Sequence, residues 1–296
     1  MRICRPHPSG PKFHSFVANH ILIIGRRLTF LFTGAFAVVF LFGLPPVCAG
    51  ETFRIATFNI NYGNVNLNDI VRTIRKANAD VICLQETTNA FRNDSETRLK
   101  REFLKTHPYI YFVGHNGRYA AERFGFVSKY PLADKRFVPP VHGLFGTCFA
   151  TVILPDGNVR LANVHLSPFQ VARGSNAVRA FKAISAVESR HKLEIEAIAR
   201  NVNAKVPTIV CGDFNSLSTF VAPRTLSGLG LQDSFASVTE TADSHPTWRW
   251  PIKGMPVQFR IDYIFHSSHF ETAKSEILPT VGSDHSLLVS EMKLIP

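Results

Sequence analysis

The segment Thr208-Ile-Val-Cys-Gly-Asp-Phe-Asn-Ser216 constrains the fold of this 296-residue chain more than any other part of the sequence. Its β-branched and apolar residues stop at Gly212, and two polar residues, Asp213 and Asn215, follow. This pattern predicts a buried strand with polar side chains at its carboxyl end, which is where open α/β sheets bind ligands. Taken alone, these residues also fit a turn that caps the next element. The other strand ends decide between the two interpretations.

Two further strand-like segments lie on either side of a predicted helix. Residues 53–60 predict a strand that ends at Asn59, and residues 80–86 predict a strand that finishes on Glu86. Between them, residues 67–79 carry apolar side chains at helical spacing. A strand-helix-strand unit of this length implies parallel neighbouring strands. We therefore expect Asn59 and Glu86 at the same edge of a sheet.

A histidine marks another strand end. Residues 147–154 and 159–166, joined by Pro155-Asp156-Gly157-Asn158, predict a β-hairpin whose second strand contains His165 near its end. A histidine in an apolar strand is more often a core residue with satisfied hydrogen bonds than a catalytic group. The position of His165 at a strand end nevertheless favours a functional role.

The C-terminal part of the chain offers an acidic residue and a partner for it. Residues 259–265 predict a strand with Asp262 in its middle, and Ser283-Asp284-His285 opens the final strand, residues 286–294. A buried aspartate is costly unless it is paired, and His285 is the candidate partner of Asp262. The stretch from residue 216 to residue 258 is predicted to be irregular.

Together these strand ends supply eight polar side chains: Asn59, Glu86, His165, Asp213, Asn215, Asp262, Asp284 and His285. Carboxylate and carboxamide oxygens, with no Cys or His at zinc-ligand spacing, favour Mg²⁺, or alternatively Mn²⁺ or Ca²⁺, over zinc. Such a cation offsets phosphate charge while a positioned base activates water for in-line attack. An Asp-His pair keeps an imidazole cationic near neutral pH, so that it can stabilise a developing oxyanion or protonate a leaving oxygen.

Five short motifs follow one another within residues 52–295: Phe58-Asn59-Ile60, Leu84-Gln85-Glu86, Gly212-Asp213-Phe214-Asn215, Arg260-Ile261-Asp262-Tyr263 and Ser283-Asp284-His285. In this order they resemble the successive motifs of the endonuclease/exonuclease/phosphatase superfamily, also called the deoxyribonuclease-I-like fold. The resemblance implies a four-layered α/β sandwich, in which two packed mixed sheets are flanked by helices.

The resemblance also implies a role for each residue of the metal and water site. Glu86 would bind the metal with Asn59 close by, and Asp284 would complete the metal site or orient a neighbour. Asp213 would activate or position the attacking water, and Asn215 would hold the phosphate.

The two histidines have their own counterparts in the family. His285 would pair with Asp262, and His165 resembles the second histidine of the nuclease and sphingomyelinase branches. Asn61 stands where some branches have an aspartate, so the resemblance does not extend to a second metal contact at that position.

The first 49 residues differ from the rest of the chain. They contain five basic residues and no acidic one, an apolar segment at residues 28–44, and Val47-Cys48-Ala49 before Gly50. This is the arrangement of an export signal with a small residue before the cleavage site. The alternative is an uncleaved membrane anchor, because residues 28–44 lie at the short end of what spans a bilayer. We therefore expect a catalytic domain at residues 50–296 that is periplasmic or secreted, or else anchored to a membrane.

Charge and cysteine content describe this domain further. Of the 33 Lys and Arg residues, five lie in the first segment, so residues 50–296 keep a net charge of +6. That charge suits a polyanionic substrate or an anionic surface, and equally suits ordinary solubility. Cys83, Cys148 and Cys211 lie in apolar strand-like runs and are predicted to be buried and unpaired rather than disulfide-bonded.

These observations predict an exported, divalent-metal-dependent phosphoesterase that hydrolyses a phosphodiester, in nucleic acid or in a phospholipid headgroup. We expect a monomer, which associates with a membrane only if residues 28–44 remain attached. The alternatives are a membrane-anchored phosphatase acting on a lipid or a polyprenyl pyrophosphate, and a non-catalytic binding module that retains the fold. The second alternative is weakened because the polar strand ends are all present in this sequence.

Overall fold

The computed structural model describes residues 52–63, 66–87, 104–113, 123–169, 177–252 and 255–295. The N-terminal segment for which export or anchoring is predicted lies outside these residues. Within the described ranges, no helix is both long enough and apolar enough to cross a membrane.

The first sheet has six strands. From one edge to the other they are β13 (Phe270–Leu278), β14 (Leu287–Leu294), β1 (Thr52–Asn59), β2 (Val81–Gln85), β4 (Phe124–Ser128) and β3 (Tyr109–Val113). Strands β1 and β2 run parallel, whereas the other neighbours are antiparallel. Helix α1 (Leu67–Ala77) connects the parallel pair, so the predicted strand-helix-strand unit is confirmed.

Local sequence explains where α1 begins and ends. The side chain of Asn66 accepts a hydrogen bond from the backbone N–H of Asp69, which caps the first turn. The helix stops at Asn78, which adopts the left-handed conformation that asparagine tolerates. Between these ends, Ile70 and Ile74 fall on one face of the helix and are buried against the sheet.

The second sheet also has six strands. In spatial order they are β5 (Leu132–Val138), β6 (Thr147–Leu154), β7 (Gly157–His165), β8 (Thr208–Asp213), β12 (Asp262–His266) and β9 (Gln232–Asp233). Strands β7 and β8 form the parallel pair of this sheet. The predicted hairpin of β6 and β7 is confirmed, but its turn is shorter than expected, because Leu154 already pairs with Gly157.

Helices and a small hairpin complete the described structure. They are α2 (Ala177–Ala199), α3 (Val221–Gly228), α4 (Ser234–Ser237), a 3₁₀ turn (Ala242–Ser244), and a two-stranded hairpin of β10 (Trp248–Ile252) and β11 (Met255–Phe259). The expectation of irregular structure between residues 216 and 258 is therefore wrong. The elements between residues 216 and 258 are short, and no long periodic run marks them in the sequence.

Asp262 was also misplaced within its strand. It is the first residue of β12 rather than a mid-strand residue, because β11 ends at Phe259 and belongs to the small hairpin. At the break, the hydroxyl of Thr247 accepts hydrogen bonds from the backbone N–H groups of Ile261 and Asp262, both at 3.0 Å. A threonine thus satisfies the donors that a continuous strand would have paired.

The two sheets pack face to face over an apolar core, with helices on the outer faces. Helix α1 packs on the outer face of the first sheet, and α2 and α3 pack on the outer face of the second. The predicted four-layered α/β sandwich is confirmed. Cys83, Cys148 and Cys211 lie in the core between the sheets as unpaired, buried thiols, as expected.

The layer between the sheets changes character along the strands. Side chains alternate between the two faces of a strand, so residues two apart share a face. On β1, β2, β7 and β8 the inward residues are first apolar and then polar, and on β12, which runs the opposite way, the polar residue comes first. The polar members are Thr57, Asn59, Gln85, Asn163, His165, Asp213 and Asp262, all buried. We call this end of the sandwich the polar edge.

Candidate active site

Strand direction brings the predicted site residues to the polar edge. The parallel strands β1, β2, β7 and β8 deliver their carboxyl ends, whereas the antiparallel strands β12 and β14 deliver their beginnings. The register places Asp213 of β8 beside both His165 of β7 and Asp262 of β12. The eight predicted side chains therefore lie together at the polar edge, and both sheets contribute to them; Asp284 is linked to the others through Asn61.

Asp213 lies at the centre of the cluster and is almost completely buried. Its Oδ1 accepts a hydrogen bond from the backbone N–H of Asn215 at 2.8 Å, and its Oδ2 accepts one from Asn59 Nδ2 at 3.0 Å. Two imidazole nitrogens approach the same Oδ2, His165 Nε2 at 3.5 Å and His285 Nε2 at 3.6 Å. Burial raises the pKa of Asp213 to about 7, although the charge of His285 opposes the rise. A carboxylate with this pKa suits a general base at neutral pH.

The glycine before Asp213 is required by the packing of the strands. Gly212 has φ 145°, and a Cβ at this position would lie 1.9 Å from the carbonyl oxygen of Val164 on β7. Only glycine allows such close backbone approach. Gly212 therefore allows β7 and β8 to pair at the level of the site.

His285 and Asp262 form the predicted pair. His285 Nδ1 lies 2.9 Å from Asp262 Oδ2, and both residues are buried. Burial alone lowers the pKa of His285, but the charges of Asp262 and Asp213 outweigh it and raise that pKa to about 10. The ring is consequently an imidazolium at neutral pH, with Nε2 directed at Asp213. It can stabilise negative charge on a phosphoryl oxygen.

Glu86 follows β2 in the left-handed region, with φ 59°, an uncommon conformation for a glutamate. Asn59 Nδ2 donates to its Oε1 and the backbone N–H of Tyr62 donates to its Oε2, both at 2.9 Å. Burial raises the pKa of Glu86, these hydrogen bonds and His285 oppose the rise, and the charge of Asp284 adds to it. Burial therefore outweighs the contacts that stabilise the charged form of Glu86.

Asn59 and Asp284 hold their neighbours in place. The amide nitrogen of Asn59 bridges Glu86 and Asp213, while its Oδ1 accepts from the backbone N–H of Asn61 at 3.0 Å. Asn61 Nδ2 and Trp248 Nε1 donate to the two carboxylate oxygens of Asp284, at 2.8 and 3.0 Å. Asn61 therefore positions Asp284 instead of adding a carboxylate of its own.

His165 and Asn215 complete the cluster. His165 is 2% exposed, its Nε2 lies 3.7 Å from Glu86 Oε1, and its ring stacks on Phe145 with centroids 3.9 Å apart and planes 16° apart. Asn215 has φ 45°, and its Nδ2 donates to the carbonyl of Leu166 at 2.9 Å and to Asp213 at 3.2 Å. Both residues therefore tie β7 to Asp213.

The donor set fits a hard divalent cation. Within the described residues, Asp213, Asp262 and His285 have potential ligand atoms that lie within 4.8 Å of one another. An imidazolium cannot ligate a metal, however, because both of its nitrogens are protonated. In His285, Nδ1 faces Asp262 and Nε2 faces Asp213. The carboxylates of Glu86 and Asp284 offer oxygen ligands of the kind such a cation prefers, and they lie close enough for the charge of Asp284 to raise the pKa of Glu86.

The sequence did not indicate a role for several residues of the site. Gln85 and Asn163 lie beneath the cluster and cross between the sheets, Phe145 stacks on His165, and Thr247 caps Asp262. Alternation along β2 and β7 does place Gln85 and Asn163 on the inward face, next to Cys83 and Leu161. No sequence signal marks Phe145 or Thr247, because their partners are distant in the chain.

Two facing six-stranded sheets with carboxylates and histidines at one shared edge define a deoxyribonuclease-I-like fold. The chain belongs to the Endonuclease/Exonuclease/phosphatase family, whose sequence profile matches residues 56–285. The resemblance stated from the motifs is thereby confirmed, and the members of this family are hydrolases of phosphate esters. No curated protein sequence matches the chain.

Solved structures show the same fold. The human nocturnin catalytic domain with bound sulfate is 19% identical, covering 82% of this chain and 93% of that one, with a TM-score of 0.58. TDP2 of D. rerio, complexed with a single-stranded DNA product, is 14% identical over 82% and 99%, with a TM-score of 0.58. Sphingomyelinase C from Streptomyces griseocarneus is 16% identical over 81% and 99%, with a TM-score of 0.54.

Proposed function

We propose that this protein is an exported, divalent-metal-dependent phosphoesterase that hydrolyses a phosphodiester, in nucleic acid or in a phospholipid headgroup. One observation carries the proposal. A buried carboxylate, Asp213, whose pKa is raised to about 7, lies within 3.6 Å of ring nitrogens of His165 and His285 and shares Asn59 with Glu86. A base, a cationic donor and a metal-binding carboxylate thus meet at one point.

The residues divide the reaction between them. Glu86 and Asp284 would hold the cation, which when bound neutralises phosphate charge and polarises a phosphoryl oxygen. Asp213 accepts a proton from the attacking water, whose oxygen forms a bond to phosphorus as the bond to the leaving oxygen breaks. The leaving oxygen departs as an anion and takes a proton from solvent. The imidazolium of His285 donates a hydrogen bond to the phosphoryl oxygen on which charge develops. His165 is placed to donate to the same group.

The remaining residues keep this geometry fixed. Asn59 sets the spacing of Glu86 and Asp213, because one amide nitrogen donates to both carboxylates. Asp262 fixes the tautomer and the charge of His285. Because these neighbours already hold Asp213 and His285 in position, the site needs little rearrangement when charge develops in the transition state.

The fold does not choose between the two substrate classes. TDP2 of D. rerio was solved with a single-stranded DNA product, whereas another protein with this fold is a sphingomyelinase C. The net charge of +6 on residues 50–296 supports an anionic substrate of either class. Export is supported by the basic, apolar and small-residue pattern of residues 1–49.

The test is a hydrolysis panel with the purified protein. Plasmid DNA, RNA, sphingomyelin, a phosphoinositide and a polyprenyl pyrophosphate are each incubated with Mg²⁺, Mn²⁺ or Ca²⁺, and again after chelation. We expect metal-dependent cleavage of DNA, RNA or a phospholipid, and loss of cleavage in Asp213→Asn. Asp156→Asn is the matched control, because Asp156 is exposed in the β6–β7 turn, at the other end of the strands. Cleavage that survives both chelation and Asp213→Asn would refute the proposal.

Export has its own test. The full-length chain is expressed with a C-terminal tag, and N-terminal sequencing of the processed protein locates the cut. Cleavage between Ala49 and Gly50 is expected. A full-length protein that stays in the membrane fraction would favour the anchored form instead.

A further inference from the structure

A pair of buried carboxamides lies between the two sheets, directly beneath the polar edge. Gln85 of β2 and Asn163 of β7 are both completely buried. Gln85 Nε2 donates to Asn163 Oδ1 at 2.7 Å and to Thr57 Oγ1 at 2.9 Å. Asn163 Nδ2 donates back across the interface, to the carbonyl of Leu84 at 3.0 Å and that of Gly125 at 3.3 Å. The pair therefore connects three strands of the first sheet to the second.

Stability does not explain why these two positions are polar. The neighbouring inward positions on the same strands, Cys83 and Leu161, belong to the apolar core between the sheets. A buried carboxamide costs free energy unless all its groups are paired, and Gln85 Oε1 has no hydrogen-bond partner among the described residues. An apolar pair of similar volume could fill the same space with no unsatisfied oxygen. The polar pair calls for another reason.

The positions of Gln85 and Asn163 in the chain supply that reason. Gln85 immediately precedes Glu86, and Asn163 lies two residues before His165. Glu86 and His165 belong to different sheets, yet Oε1 and Nε2 lie 3.7 Å apart. Apolar contacts between sheets hold them together without fixing how far one slides over the other, whereas hydrogen bonds are directional. The bonds between the carboxamides lie next to the residues whose spacing the site needs.

We propose that Gln85 and Asn163 are positioning residues that lock the two sheets in register and so hold Glu86 against His165 and Asp213. The catalytic consequence rests on the proposed function, but the structural one does not. Loss of the lock lets the sheets shift at the polar edge. It should therefore weaken metal binding at Glu86 and lower kcat more than it raises KM, because the groups that touch the substrate are all retained.

The experiment compares Gln85→Met, Asn163→Leu and the double variant with the wild-type protein. Each single change removes the carboxamide bond and keeps a side chain of similar length. Ser290→Ala is the matched control, because Ser290 Oγ makes a buried 2.7 Å bond to Ser234 Oγ in the same layer, away from the polar edge. Thr57→Val removes only the 2.9 Å bond to Gln85 and serves as the mild variant if the others fail to fold.

Two readouts are used, calorimetric titration and crystal structures. Calorimetric titration with Mn²⁺ should show at least about tenfold weaker binding in Gln85→Met and Asn163→Leu, and no change in Ser290→Ala. The double variant should lose no more than either single variant, because the two residues act as one unit. Crystal structures should show the Glu86–His165 separation lengthened beyond 3.7 Å. Thr57→Val should show the same changes, but smaller.

The crystallographic readout separates this inference from the proposed function. An unchanged separation in Gln85→Met, or in Thr57→Val where that is the variant that folds, overturns the positioning role whether or not the protein is an enzyme. Equal weakening of Mn²⁺ binding in Ser290→Ala also overturns the positioning role, because the effect would then not be specific to Gln85 and Asn163. A lengthened separation in a protein that hydrolyses nothing supports the positioning role and refutes the proposed function alone.

Discussion

Replacement of Asp262 by asparagine tests the charge state on which the proposed chemistry depends. In the native site the pKa of His285 is about 10, compared with an ordinary value of 6.5. The difference corresponds to roughly 5 kcal/mol in favour of the imidazolium, at about 1.4 kcal/mol for each pKa unit. Burial by itself lowers the pKa of this histidine, and the charge of Asp262 is the largest opposing effect. Asp262→Asn should therefore bring the pKa of His285 back toward the ordinary value.

The size of the effect on the rate follows from the protonated fraction. A histidine of ordinary pKa is protonated in only about 3% of molecules at about pH 8. If only the imidazolium is active, kcat/KM at this pH should fall about 30-fold from loss of the proton alone. The loss should shrink as the pH is lowered, because acid restores the imidazolium in the variant. Wild-type activity should instead persist until the pH approaches about 10.

The assay is kcat/KM against pH, from about pH 5 to about pH 10.5, on whichever phosphodiester the panel identifies. The alkaline limb of the profile should move from near pH 10 to neutral pH or below in Asp262→Asn. Asp243→Asn is a suitable control, because Asp243 pairs with Arg260 and does not contact His285. An alkaline limb that stays in place would refute the assignment of His285 as the cationic donor. A loss of equal size at every pH would show that Asp262 acts through geometry alone.

Four further substitutions test other parts of the structure. Asp213→Asn should lower kcat by roughly a hundredfold or more, whereas Glu86→Gln should raise the Mg²⁺ concentration needed for half-maximal rate. Initial rates measured across a Mg²⁺ titration distinguish these two effects. An unchanged rate in Asp213→Asn would remove Asp213 from the mechanism. Gly212→Ala places a Cβ 1.9 Å from the carbonyl oxygen of Val164, so little soluble protein is expected, and a wild-type melting temperature would contradict this. Burial raises the pKa of Glu194 to about 7, so stability should fall as the pH rises from about 4.5 through about 7. Glu194→Gln should flatten this dependence of Tm on pH, and an equally steep curve in both proteins would count against it.

The sequence predicted the polar residues at the strand ends better than the residues that surround them. Asn59, Glu86, His165 and Asp213 each end a run of apolar residues, and parallel strand pairs bring such ends together whatever the details of packing. The sandwich architecture followed from the resemblance and not from the periodicity of the runs. The alternation of side chains along each strand did show which residues face the interior, because it depends only on the sequence of that strand.

The parts that were wrong or missed depend on contacts between distant residues. The break before Asp262 is stabilised by Thr247, and Arg260 in that break donates to Asp233 and Asp243. Neither contact leaves a pattern in the sequence, because each forms only after the short elements between residues 217 and 259 have packed. Gln85 and Asn163 face inward by alternation, but which residues meet across the interface depends on how one sheet is placed over the other.

The charges of the site predict that the proposed metal binding is coupled to proton release. Burial raises the pKa of both Glu86 and Asp213. The charge of Asp284 adds to the rise at Glu86, and the charge of Asp262 adds to the rise at Asp213. His285 opposes both rises only in part. In the proposed mechanism a divalent cation binds at Glu86. Such a cation would lower the pKa of each nearby carboxyl group, so it should release protons as it binds near neutral pH. Mn²⁺ affinity measured by calorimetry should therefore rise with pH through about 7, the pKa of Asp213, and the measured enthalpy should depend on the ionisation enthalpy of the buffer. An affinity that is independent of pH would mean that the cation and Asp213 do not share a site, and the proposed mechanism would lose its base.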